Sequence, residues 1–167
     1  MLQPLVRRTW APRGQTPIQY QWERHDRLSA ISALSLAPRR RRLGLYWGLQ
    51  EENIRGPDVV SFLRLLRRCL RRDMVLILDR WGVHRSARVR KYLESHGEKI
   101  RVEWLPGYAP ELNPTEQVWN HAKYSDLANL APPDLEELGR LVQSSFKRQR
   151  GQSRLLRSFF ETARLRL

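Results

Sequence analysis

Apolar positions change rhythm several times along the chain. In residues 7–20, Arg-Arg-Thr-Trp-Ala-Pro-Arg-Gly-Gln-Thr-Pro-Ile-Gln-Tyr, two prolines and a glycine fall close together, which predicts a short strand, a turn and another short strand. Residues 28–36, Leu-Ser-Ala-Ile-Ser-Ala-Leu-Ser-Leu, follow neither the helical nor the strand period cleanly, and a strand fits best. Arg39–Arg42 reads as a charged, solvated turn, and Leu43-Gly-Leu-Tyr-Trp-Gly-Leu49 as the next strand, antiparallel to the last. The first 50 residues therefore predict a β-meander.

After Gly56-Pro57 the period becomes helical. Val59, Val60, Phe62, Leu63, Leu65, Leu66 and Leu70 make an apolar stripe, with Arg64, Arg67, Arg68, Arg71 and Arg72 opposite. Pro57 suits a first turn. Met74–Leu78 is a short apolar run expected as a buried strand. Ser86 is positioned to cap a helix reaching about Ser95, with Gly97 as its stop. Ile100–Leu105 predicts another strand, and Pro106-Gly107 and Pro110 an irregular loop. A helix then begins near Pro114 and ends by Pro132-Pro133. A final helical region starts at Asp134 and carries eight basic residues after Gly139. Strands followed by alternating helices and strands imply an α/β fold, a mixed sheet with helices on its faces and a basic helical C-terminal tail.

Charge narrows the partners. The 167 residues hold 31 Lys+Arg against 17 Asp+Glu, a formal net charge of +14. Such an excess on a small domain points to nucleic acid, because basic side chains displace the counterions condensed on phosphates. Arginine forms two-point contacts with phosphate, although codon usage in a G+C-rich genome produces the same bias. The basic face of the 57–72 helix (Arg64, Arg67, Arg68, Arg71) and the tail (Lys147, Arg148, Arg150, Arg154) are the candidate phosphate-binding residues. No apolar run approaches the roughly 20 residues that span a bilayer, so no membrane partner is expected. The start lacks the order of a signal peptide, and a cytoplasmic location is expected. The single cysteine, Cys69, excludes an internal disulfide and a multi-cysteine zinc site, and it is expected to be buried and inert.

Two acids stand out by position. Asp79 ends the Met74–Leu78 strand, at the edge where open α/β sheets bind ligands; the plainer alternative is that it caps the following loop. Glu116 is the third residue of the helix that Asn113 caps and Pro114 opens. It can reach back to the cap as a capping-box glutamate or face a metal. Glu111 is a nearby competitor in the loop. His84, five residues after Asp79, and Trp119, one turn after Glu116, read most simply as a packing histidine and a core anchor.

These residues also carry a resemblance. Leu76-Ile-Leu-Asp-Arg-Trp-Gly-Val-His84 and Leu105-Pro-Gly-Tyr-Ala-Pro-Glu-Leu-Asn-Pro-Thr-Glu-Gln-Val-Trp119 resemble the DDE endonuclease domain of transposases, in the bacterial insertion-sequence relatives of the Tc/mariner group. Arg7-Arg-Thr-Trp-Ala-Pro-Arg-Gly-Gln-Thr-Pro17 is similar to the stretch that follows that family's first catalytic strand. The resemblance runs from about residue 5 to 130 and implies an RNase H-like domain over 1–130, with 131–167 as a separate basic helical region. It implies that Asp79 and Glu116 are catalytic, metal-binding acids, supported by His84, Asn113 and Trp119. It implies Mg²⁺ or Mn²⁺ as cofactor and transposon-end and target DNA as partners, cut and joined through two cations that stabilise the attacking and leaving oxygens. A homo-oligomer or a full-length transposase is a further expected partner, and the nucleoid the expected place.

The chain also departs from that pattern. The family's first catalytic aspartate sits in an Asp-Glu-x-Gly-like segment shortly before the Arg-Arg-Thr-Trp stretch, which here begins six residues after the start. The bridging carboxylate and the DNA-recognising helix-turn-helix are therefore expected to be absent. Asp26 and Asp58 are the early acids, and neither matches the motif. The expectation is a carboxyl-terminal fragment, inactive alone, or a non-catalytic DNA-binding fragment that regulates or joins the full enzyme.

Overall fold

The computed structural model describes residues 10–15, 28–39 and 42–165. Its elements run β1 (Ser29–Leu36), β2 (Leu43–Gln50), α1 (Gly56–Leu70), β3 (Met74–Leu78), α2 (Ala87–Glu94), β4 (Ile100–Trp104), α3 (Pro114–His121), α4 (Leu135–Gly151) and α5 (Ser153–Thr162). From β1 onward the order is the expected one, and the class is mixed α/β.

The sheet differs from expectation. Among the described residues there are two separate two-stranded ladders and not one mixed sheet. β1 pairs antiparallel with β2, from Ser29↔Gln50 to Leu36↔Leu43. β3 pairs parallel with β4, from Met74↔Ile100 to Leu78↔Trp104. Neither β1 nor β3 has a second ladder partner among the described residues. Both ladders nevertheless lean on the same helices: Ile31, Ala33 and Tyr46 from one, and Met74, Leu76 and Val102 from the other, pack against the core of Val59, Phe62, Leu63 and Leu66 of α1 and Val89, Tyr92 and Leu93 of α2.

The opposite face of β1 serves a second core. Ala30 and Leu34, with Leu43, Trp47 and Leu49 of β2, pack on Leu45, Val118, Val142, Phe146, Leu156 and Phe159. Successive strand residues point to opposite sides, so β1 is a wall shared by two cores. That explains its unclear period, since a strand half-buried on both faces has no fully solvated side to alternate with. α4 and α5 supply much of this second core. Phe146 is fully buried and takes the edges of Trp47 and Trp119 at centroid distances of 5.6 and 5.4 Å.

Two local expectations are corrected. Met74–Leu78 is buried on one face alone: Val75 and Ile77 are 61% and 57% exposed, because α1 and α2 cover one side of that ladder. Cys69 is exposed, since it falls off the apolar stripe of α1. Residues 10–15 hold the expected turn, with Gln15 N–H donating to the Pro12 carbonyl at 3.0 Å and Gly14 at φ +83°. Residues 7–9 and 16–20 of the expected strand pair, and Asp26, lie outside the described residues.

Candidate carboxylate site

Asp79 follows β3 directly. Its Oδ1 accepts two hydrogen bonds, from the Trp81 backbone N–H at 3.0 Å and from His84 Nδ1 at 2.8 Å. An ionised carboxylate can only accept, so Nδ1 is the donor. Both bonds fall on Oδ1, which leaves Oδ2 for a ligand. The His84 bond holds the carboxyl below the ordinary aspartate range, against the opposing effect of burial and with further help from the Trp81 N–H and the His84 charge. The loop that delivers His84 is a chain of tight turns: His84 N–H donates to Trp81, Arg85 to Gly82 and Ser86 to Val83. Val83 packs on the α1–α2 core and pins it. Ser86 stands at the cap position of α2, but its hydroxyl caps nothing.

Glu116 lies in the first turn of α3. Asn113 caps that helix by accepting from the Thr115 N–H at 3.1 Å, and Pro114 opens it. The capping-box bond is not made, because the Asn113 N–H donates to the Pro110 carbonyl at 3.0 Å instead. The Glu116 carboxylate is thus free of helix duty. Burial pushes its carboxyl above the ordinary glutamate range, the nearby Asp79 charge pushes it further, and Lys123 opposes both. Val118, fully buried, and Trp119 anchor the helix that carries it.

Asp79 and Glu116 line one cleft of about 790 Å³, together with Asn113 and Trp119. Two hard oxygen donors whose charges repel are a suitable pair for Mg²⁺ or Mn²⁺. Among the described residues no cluster of three or more His, Cys, Asp or Glu side chains could hold a metal ion. Asp58 serves α1 as a cap, its Oδ2 accepting from the Arg55 N–H at 2.8 Å. Glu111 is exposed in the turn Pro110–Leu112 and does not line the cleft.

The basic candidates lie elsewhere. Arg64 and Arg68 are exposed on α1, Arg71 is exposed at its C-terminal cap and Arg67 is half-buried, with Arg64 also over the Tyr92 ring at 5.7 Å. Lys147 and Arg154 are exposed on α4 and α5. Arg148 pairs with Asp126 at 2.7 Å, and Arg150 lies over Trp47 at 5.1 Å. None of these lines the cleft. Among the described residues the cations that do are Arg80, Arg85 and Lys123, which sequence reasoning passed over. Lys123 lies seven residues after Glu116, two turns on, and Arg80 and Arg85 flank the Asp79–His84 segment.

A parallel strand end and a helix first turn thus deliver two carboxylates to one cleft of a mixed α/β domain. Residues 1–139 match the sequence model of the DDE superfamily endonucleases, and the chain belongs to that family. Its fold is similar to Mos1 mariner transposase. The Mos1 paired end complex with Mn superposes with a TM-score of 0.62 at 14% identity, covering 96% of this chain and 47% of that one. The Mos1 strand transfer complex gives 0.61 at 15%, with 96% and 46% covered. The catalytic domain of Mos1 gives 0.57 at 14%, with 82% and 74% covered. The chain spans less than half the length of Mos1 in those two complexes, and at these identities the likeness is one of fold. No curated protein matches the chain significantly.

Proposed function

We propose that this chain is the catalytic-domain part of a transposase of the bacterial insertion-sequence type, binding DNA and holding a divalent cation between Asp79 and Glu116. The observation that carries the reading is that these two acids, from distant segments, line one cleft and Glu116 feels the charge of Asp79. The Mos1 complexes support it, one of them a strand transfer complex and another containing Mn.

The chain's own residues divide the work. His84 keeps Asp79 ionised and its Oδ1 fixed. Asn113 and Trp119 hold the first turn of α3, and with it Glu116, against the cleft. Arg80, Arg85 and Lys123 offset phosphate charge beside the acids. When bound, Mg²⁺ or Mn²⁺ supplies electrostatic stabilisation to the oxygens entering and leaving phosphorus.

Cleft acids among the described residues number two, and two-cation strand cleavage uses a third, bridging carboxylate. We infer that the isolated chain is a DNA binder with negligible strand cleavage, suited to joining or competing with a complete enzyme. Titration calorimetry with MnCl₂ and nicking of supercoiled plasmid test this together. The expected result is weak Mn²⁺ binding that Asp79→Asn and Glu116→Gln each abolish, with no nicking above background. Binding that persists in both variants would remove the metal assignment. Nicking that disappears in Asp79→Asn would overturn the claim of inactivity.

A further inference from the structure

Among the described residues β4 has β3 as its one ladder partner, so the peptide groups along its far edge have no strand beside them. A row of such groups is a template for another extended chain. Successive residues of a strand point to opposite faces, and the two faces of β4 differ. Arg101 and Glu103 share the outer face and pair with each other at 2.8 Å. Val102 and Trp104 share the face turned toward α2. With Leu93 of α2 they line an apolar hollow of about 380 Å³, and Trp104 is still 41% exposed there.

The hollow is charged at one end. The register Leu78↔Trp104 sets the end of β4 beside the end of β3, where the turns that carry His84 and Arg85 begin. Arg85 and Arg90 both line the hollow and are both exposed, and Arg90 Nη2 donates to the Arg85 carbonyl at 3.4 Å, which keeps the two cations together. Among the described residues Glu94, one turn further along α2, is the one acid that lines it. Neither Asp79 nor Glu116 does, so the hollow is distinct from the carboxylate cleft.

These properties select an occupant. A free strand edge takes a backbone that carries N–H and C=O groups, and a hollow on one face takes the alternate side chains of that strand. Paired arginines take a carboxylate. DNA has the charge but no peptide groups, and a second copy of a chain of net charge +14 is repelled. We propose that β4 receives an extended acidic segment of a partner protein as a third strand of its ladder. Apolar side chains at alternate positions of that segment pack on Leu93, Val102 and Trp104, and a carboxylate meets Arg85 and Arg90. The inference is independent of the cation and DNA readings above.

The test is fluorescence anisotropy of the full chain with the fluorescein-labelled peptide Asp-Val-Thr-Val-Thr-Val-Asp at fixed salt. Saturable binding is expected, weakened about tenfold when lysine replaces both aspartates. N-methylating one set of alternate peptide amides should abolish binding and N-methylating the other set should spare it, because one edge of the added strand faces β4. Arg90→Glu and Trp104→Ala should each weaken binding about tenfold with the Tm kept, and Arg101→Ala, on the outer face, should leave it unchanged. Equal affinity for the aspartate and lysine peptides, equal effects of the two N-methylated sets, binding that survives both Arg90→Glu and Trp104→Ala, or no binding at all would each overturn the proposal. Displacement of the peptide by a DNA duplex would assign the hollow to nucleic acid and overturn it too.

Discussion

His84 Nδ1 lies 2.8 Å from Asp79 Oδ1, and that bond is the largest influence on the aspartate's acidity. A folded-state pKa below the unfolded one contributes stability that is present above the ordinary aspartate value of about 3.9 and is lost as pH falls through the folded value. In His84→Ala the Asp79 titration should move up toward the ordinary value, and the acid limb of the stability profile should flatten. A carboxyl ¹³C titration by NMR reads this directly. An Asp79 midpoint that stayed where it was would mean that the imidazole is not the cause.

Glu116 has the opposite sign. Its carboxyl is raised, so its contribution favours folding below about 4.3 and is lost as pH rises through the folded value. At neutral pH the charged side chain therefore works against the fold, and Glu116→Gln should raise Tm on the order of 2 °C. Millimolar Mg²⁺ should raise the Tm of the parent chain and leave the variant unchanged. Scanning calorimetry at pH 7 with and without Mg²⁺ checks both statements; a lowered Tm in the variant would contradict them.

Phe146 is the residue on which the second core turns. It is fully buried and meets both Trp47 and Trp119. Phe146→Ala should cost about 3–5 kcal/mol, which is on the order of 10 °C in Tm. Urea denaturation gives the figure. A loss below about 1 kcal/mol would show that the site collapses around the smaller side chain.

Basic residues should separate into two kinds. Arg68 is exposed and has no ion pair among the described residues, so Arg68→Ala should lower the slope of log K against log salt by about 0.9 for duplex DNA and leave stability alone. Arg148 is tied to Asp126, which is only 11% exposed and also accepts from Ser145 Oγ at 2.7 Å. Arg148→Ala should therefore cost about 1 kcal/mol of stability and change the salt slope less. Equal slopes in the two variants would reverse this division.

Helices and chemistry were more legible than pairing. The stripe of α1 and the Asn113-Pro114 start of α3 are local patterns, and local patterns read well in a sequence. The separation of the ladders among the described residues was not legible, because which edges meet depends on segments far apart. Nor was the half-exposed β3: a run of five apolar residues looks the same whether one face or two are covered. Asp79 and Glu116 drew attention by position and motif, but their shared cleft is a fact of tertiary structure. The buried Gln149, bonded to Ser145 Oγ at 3.1 Å and near the Val118 carbonyl at 3.4 Å, had no signal at all on a helix that reads as basic.

Asp79 ends a strand whose inner face belongs to the α1–α2 core, whereas Glu116 rides on a helix rooted beside Phe146, with β1 as the partition between them. The spacing of the two oxygen donors is thus governed by a seam and not by either half. Warming that lets one half slip against the other would cost the pair its grip on a cation while every helix stayed intact. If the proposed cation site is right, loss of Mn²⁺ affinity should then precede loss of the circular dichroism signal, and a heat-treated sample should look folded yet fail to bind Mn²⁺.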